Sequence, residues 1–220
     1  MQIATAFHRT DSEVSIKLDA LRLERKRLVS VGAVALASSR RATAFHPANT
    51  RGTFGYHDGV EALRGEHVPK DGWAVYAVGG LEGIYNEEIK TIILFKNMDR
   101  CCSEDKKPQA ASRIGVNSER ICGFPLFESV GITLPEVAFT LLPNARRVKT
   151  SKYSVYYLMI DRNGNLELSS PVTKDRVIQG FTDRIFLAEG DDLDLELTLP
   201  DVGPMDGDEF VIEVKRKNEQ

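Results

Sequence analysis

The segment "KYSVYYLMID" (152–161) restricts the fold more than any other part of the chain. In an extended strand, Val155, Tyr157 and Met159 point to one face and Tyr156, Leu158 and Ile160 to the other. Both faces are therefore apolar, and such a strand belongs at the buried centre of a sheet. "RNGN" (162–165) follows directly. Asn-Gly is the strongest short-range hairpin signal, because both residues accept positive φ, so "LELS" is the expected return strand. "RIFLA" (184–188), "DLDLELTL" (192–199) and "DEFVIEVKR" (208–216) read as further short strands separated by turns. From residue 152 onward the chain is β-rich, and "TIILFK" (91–96) adds an upstream strand.

The N-terminal half reads differently. "TDSE" (10–13) fits a capping box, with Thr10 as N-cap and Glu13 reaching back to it. A helix is expected from about residue 12 to 27, because Leu, Arg, Lys and Glu dominate it. Residues 28–38 contain Gly32 and several valines, and both a second helix and a buried strand stay open there. Residues 42–72 hold Pro47, several glycines and many Asn, Asp and Thr residues, so they read as loop with one short helix at 59–67. "VGGLEG" (78–83) reads as a tight turn, and 99–118 as a long surface loop. The expected architecture is a single α+β domain, with a helical and loop-rich N-terminal half packed on a C-terminal antiparallel sheet or small sandwich. A subdivision into a mixed part (1–120) and a β-rich part (121–220) is the alternative.

At 220 residues, 42% hydrophobic and 28% charged, the chain has enough apolar material for a core and is not compositionally disordered. No apolar run approaches the ~18 residues of a spanning helix. The longest weakly polar stretch is "LVSVGAVALASS" (28–39), so a cytoplasmic protein with no membrane partner is expected. Three cysteines, two of them adjacent (Cys101, Cys102), cannot form a complete disulfide framework and read as free thiols. The net charge of −3 conceals a gradient: +1 over residues 1–90, +4 over 91–153 and −8 over 154–220.

That basic middle is the main functional signal. Lys106, Lys107, Arg113 and Arg120 lie in or beside the long loop, and Arg146, Arg147, Lys149 and Lys152 follow in "ARRVKTSK". Such cations neutralise backbone phosphates; in the alternative reading they are a solvated charged loop. His46, His57 and His67 fall near Asp58, Glu61 and Glu66, but no spacing among them is a strong metal-ligand pattern. With no Walker loop, dinucleotide fingerprint or nucleophile elbow in the sequence, no cofactor or metal is expected. The chain thus reads as a non-catalytic binding or accessory protein. Nucleic acid, a protein partner or further copies of itself through the β-region are the expected partners.

One stretch suggests chemistry. "LPDVGPMDGDEFVIEVKRK" (199–217) places Asp201 after Pro200, and then Glu213, Val214 and Lys215 near the end of a strand-like run. Period two puts Glu213 and Lys215 on one face. In this respect the stretch resembles the PD-(D/E)xK nucleases. The resemblance implies that Asp201 and Glu213 hold Mg²⁺ while Lys215 orients a water or steadies phosphate charge. The competing reading is a solvent-facing hairpin whose acidic neighbours Asp192, Asp194 and Glu196 pair with Lys215 across strands. It is favoured because only five residues follow Lys215, where such nucleases continue with a helix.

Overall fold

The computed structural model describes residues 4–111, 113–122, 153–190 and 193. Among the described residues, seven strands form one mixed sheet: β1 (Ala6–His8), β2 (Trp73–Val78), β3 (Leu81–Asn86), β4 (Thr91–Asn97), β5 (Ser154–Ile160), β6 (Leu166–Lys174) and β7 (Val177–Ala188). Their spatial order is β1-β7-β6-β5-β4-β3-β2. Two antiparallel meanders, β2-β3-β4 and β5-β6-β7, meet along the parallel pair β4–β5, and β1 runs parallel to β7 at the edge. The α+β class expected from the sequence holds. The sheet, however, is mixed rather than wholly antiparallel, because the pairs β4–β5 and β1–β7 are parallel.

Three helices cover one face: α1 (Asp11–Ala20), α2 (Arg25–Arg40) and α3 (Thr50–His67). The segment 98–115 and the short helix α4 (Val116–Cys122) cover the other. Strand β5 lies between these layers, as its two apolar faces require. Tyr156, Leu158 and Ile160 join the helix-side core, and Val155, Tyr157 and Met159 join the opposite one. Strand β4 alternates in the same way, with Ile93 and Phe95 against the helices and Ile92 and Leu94 away from them. Among the described residues, no helix is long and apolar enough to cross a membrane.

The Thr10–Glu13 capping box is present in both directions, but the helix it starts is shorter than expected. Arg22, at φ 54°, sits in the left-handed region just past its end. Leu23 N–H donates to the Leu18 carbonyl (2.9 Å) and Arg22 N–H to that of Asp19 (3.0 Å), which is a Schellman closure with arginine where glycine is usual. The Arg22 guanidinium forks onto Glu88 at 2.6 and 2.7 Å, and the Trp73 indole donates to the Arg22 carbonyl at 3.1 Å. Tertiary bonds thus hold a turn that no glycine announces. The segment left open at 28–38 is helix.

Helix α3 contains the short helix expected at 59–67 and corrects the expectation of loop over 50–58. Two of its four glycines, Gly55 and Gly59, allow close packing rather than turning the chain. A Cβ on Gly55 would stand 3.1 Å from the Ala35 carbonyl of α2, and one on Gly59 would stand 2.5 Å from the fully buried Phe95 ring. The expected turn at 78–83 is the β2–β3 hairpin, with Gly79 and Gly80 both at positive φ between paired Val78 and Leu81. The hairpin at "RNGN" also forms, by different means. Only Gly164 has positive φ there, and the Asp161 carboxylate accepts from the backbone N–H groups of Asn163 (2.8 Å) and Asn165 (3.0 Å). Apart from Leu193, which is buried in the helix-side core, the strands expected at 192–199 and 208–216 lie outside the described residues.

Two substitutions in α3 should separate packing from helix propensity. Gly59→Ala forces a methyl into the Phe95 ring and is expected to cost ~1–3 kcal/mol. Gly65→Ala, with nothing within 4 Å, should stabilise by ~0.5–1 kcal/mol. Urea unfolding of both variants checks this; equal effects of the same sign would refute the packing account.

Candidate nucleic-acid interface

The segment between β4 and α4 has no periodicity that a sequence reading could use, yet tertiary bonds hold it along its length. Asp99 and Gln109 exchange two hydrogen bonds, backbone to backbone at 2.9 Å and Gln109 N–H to the Asp99 carboxylate at 2.7 Å. Cys101 N–H donates to the Asp161 carboxylate (2.9 Å) and Cys102 N–H to that of Glu167 (2.6 Å). Lys107 Nζ donates to the Gln179 carbonyl at 2.8 Å. Farther along, Ile114 and Arg176 bond each other through Ile114 N–H (3.1 Å) and Arg176 Nε (2.9 Å), and Asn117 Nδ2 donates to the Gly79 carbonyl at 2.7 Å.

Beneath this layer lies a buried ion pair that the sequence reading missed. Arg184 of β7 is 2% exposed and Glu167 of β6 is 0% exposed. Arg184 donates to both carboxylate oxygens, through Nε at 3.1 Å and Nη2 at 2.6 Å. Its remaining nitrogen reaches the carbonyls of Ser103 (2.5 Å) and Lys106 (3.4 Å). Ser169 Oγ completes the carboxylate's shell at 2.9 Å. The rings of Phe7, Phe181 and Phe186 surround the guanidinium with centroids 5.1–5.6 Å away, an arrangement favourable to a desolvated cation. The available signal was "LELS", where a glutamate interrupts a strand whose neighbours Leu166 and Leu168 are fully buried.

The expected cations divide into two sets. Lys106, Lys107, Arg113 and Arg120 are all exposed and all lie on the 98–122 layer. Lys106 and Lys107 line an open hollow of about 570 Å³ together with Arg100, Asp99 and Asp105. Arg146, Arg147, Lys149 and Lys152 lie outside the described residues, as do Asp201, Glu213 and Lys215 of the nuclease-like stretch.

Among the described residues, the remaining titratable groups are scattered side chains and one small cluster. His46 and His57 are exposed while His67 is 1% exposed, and no three His, Cys, Asp or Glu side chains among the described residues are grouped to hold a metal. None of the three cysteines is in a disulfide. Burial pushes each thiol up, Cys122 to about 12, so none is a ready nucleophile. A tighter cluster forms where Asp183 meets His8 Nε2 (3.0 Å), Lys17 Nζ (3.2 Å) and Tyr156 OH (3.4 Å). Burial alone would raise the Asp183 carboxyl, but hydrogen bonds from His8 and Lys17 outweigh it and hold it below its ordinary value. These bonds tie β1 and α1 to β7.

Glu167→Gln leaves the Arg184 guanidinium buried without its counter-ion. It should cost ~3–5 kcal/mol in urea unfolding and speed hydrogen exchange at the Cys101 and Cys102 amides; a loss below ~1 kcal/mol would contradict this account. His67 gives a pH test. Its ring donates to the Leu63 carbonyl at 3.0 Å, and Nε2 has no hydrogen-bond partner. Burial lowers its pKa from 6.5. Near pH 6.5 the unfolded chain takes up a proton that the folded ring still refuses, so stability falls as pH drops below that value and is unaffected above it. His67→Phe should flatten that acid-side slope; an unchanged slope would show that other groups set it. Compared with protein-family models, with curated proteins and with solved structures, the chain matches none of them, so its function has to be argued from its own residues.

Proposed function

We propose that the chain is a non-catalytic, nucleic-acid-binding accessory protein that engages the phosphate backbone through the layer of residues 98–122. The observation that supports this reading is the combination of exposure above and anchoring below. Lys106, Lys107, Arg113 and Arg120 are exposed on a backbone that Glu167, Asp161, Arg184 and Arg176 hold from beneath. Cations carried on a fixed backbone lose less freedom on binding than those on a loose loop. Contacts of this kind go to phosphates and carry no base information, so the binding is independent of sequence.

Carboxylates interleave with the cations. Asp99, Glu104, Asp105 and Glu119 are spread through the same layer, and they weaken its attraction for a polyanion. Binding on this reading is a low-salt phenomenon that fades as screening increases. The rival reading, assembly through the β-region, has one observation in its favour. Strand β2 pairs with β3 alone among the described residues, and its Val75 is 49% exposed.

Four phosphate contacts on a duplex predict that log K falls with log salt at a slope of about −3.6. Lys106→Glu with Lys107→Glu should weaken binding equally on two duplexes of unrelated sequence, read by fluorescence anisotropy. A parent protein that shows no binding at ~50 mM salt overturns the proposal. If that parent dimerises with concentration in sedimentation, the assembly reading replaces it.

A further inference from the structure

The loop joining α2 to α3 carries a second surface, of different chemistry. Residues 25–57 contain six Lys and Arg residues and no Asp or Glu. At the N-terminal end of α2 this charge is matched: Arg25 pairs with Asp11 (2.6 Å), and Arg27 with Glu24 (2.7 Å) and Asp71 (3.1 Å). Arg41, just past the opposite end, is matched more loosely. The Arg41 side chain is 72% exposed, and the carboxylate it approaches, Asp58 at 3.8 Å, already accepts a 2.5 Å hydrogen bond from Ser38. Arg51 is exposed in the first turn of α3.

Aromatic rings are set among these cations. The Arg41 guanidinium lies over the Phe54 ring, 5.7 Å from its centroid, and the His46 ring meets Phe54 edge-on at 5.6 Å. Thr43 shapes the loop: its N–H donates to His46 Nδ1 at 3.0 Å, which leaves Nε2–H as the donor of the neutral ring. Its hydroxyl accepts from Phe45 N–H at 3.4 Å. Phe45, between these residues, is 99% exposed. A single exposed apolar residue is ordinary on a protein surface. A fully exposed ring on a bonded loop, flanked by cations with no carboxylate beside it in the chain, is the arrangement on which unpaired bases stack.

We infer that the α2–α3 tip is a binding site for single-stranded nucleic acid, with a base stacked on Phe45 and neighbouring phosphates on Arg41 and Arg51. The inference rests on the nucleic-acid reading above and specifies unpaired strands, since duplex bases are not open to an aromatic side chain. An anionic membrane also attracts cations beside an aromatic residue, but interfacial insertion needs a broad apolar face. Here Phe45 is surrounded in sequence by Ala42, Thr43, Ala44, Pro47 and Asn49.

The test compares the full-length parent with Phe45→Ala, Phe45→Trp, Arg41→Ala/Arg51→Ala and the Lys106→Glu/Lys107→Glu variant. Probes are a labelled oligothymidylate of about 16 nucleotides, a duplex of the same length and phosphatidylserine vesicles. Phe45→Ala should bind the single strand about 5- to 150-fold more weakly, leaving duplex affinity and the urea midpoint unchanged. Phe45→Trp should retain the affinity, with its fluorescence quenched by the strand. The paired arginine variant should weaken single-strand binding and reduce its salt dependence. If Phe45→Ala binds the oligothymidylate as the parent does, while the Lys106/Lys107 variant loses the duplex, the tip inference falls and the proposed function stands. No binding of either nucleic acid at ~50 mM salt removes both. Vesicle binding that depends on Phe45, without oligothymidylate binding, overturns the inference in favour of a membrane surface.

Discussion

A carboxylate with no exposed surface and a guanidinium with almost none hold one side of this molecule together. Glu167 and Arg184 lie on adjacent strands, and each is fully bonded only when the 98–110 segment lies over them. The segment supplies a backbone N–H to the carboxylate and two carbonyls to the guanidinium. Phe7 of β1 and Phe181 and Phe186 of β7 supply rings around the cation. A pair of this kind adds little net stability over an apolar core of similar volume, because desolvating two ions is costly. What it does is discriminate. Without this cover, one guanidinium nitrogen and one carboxylate oxygen would lose their backbone partners, so the pair disfavours a purely apolar cover over this face.

The parts of the fold that were legible are those where a local pattern and the tertiary environment ask for the same thing. Strand β5 is buried on both faces because both its faces are apolar. The Thr10–Glu13 box starts α1 because its hydrogen bonds are local. Legibility fails where one residue type serves two purposes. Gly52, Gly55 and Gly59 read as turn formers, yet in α3 the last two let a helix approach Ala35 and Phe95 more closely than a side chain would permit. Arg22 reads as a helix former, but Glu88 and Trp73 hold it in the left-handed region. The β6–β7 turn is similar: Asp175 and Arg176, neither of them glycine, both adopt positive φ.

Charge was legible only at the scale chosen for averaging. Residues 1–90 sum to +1, and this near-neutral total conceals an acid-free run from 25 to 57 whose balancing acids lie before and after it in sequence. At the start of α2 the fold brings such acids back, as Asp11, Glu24 and Asp71. Past its end, Arg41 approaches Asp58 at 3.8 Å, and Ser38 already shares that carboxylate. Conversely, the +4 middle segment owes part of its total to residues outside the described structure, and on the 98–122 layer carboxylates dilute its cations. A sum over sequence and a sum over surface therefore rank the two basic regions differently.

The two surfaces lie on opposite sides of the sheet, because α2 and α3 pack on one face and the 98–122 layer on the other. Adjacent layers of a protein are roughly 10 Å apart. Strand β4 separates them directly, with Phe95 beneath Gly59 on the helix side and Leu94 in the opposite core. Sites separated in this way and lacking a common two-state element contribute nearly additive free energies. Two weak, independent contacts of this kind can still retain one long strand, because engagement at one raises the effective concentration at the other. The condition is geometric: the strand has to pass around the edge of the sheet, since a seven-stranded sheet with cores on both faces leaves no path through it.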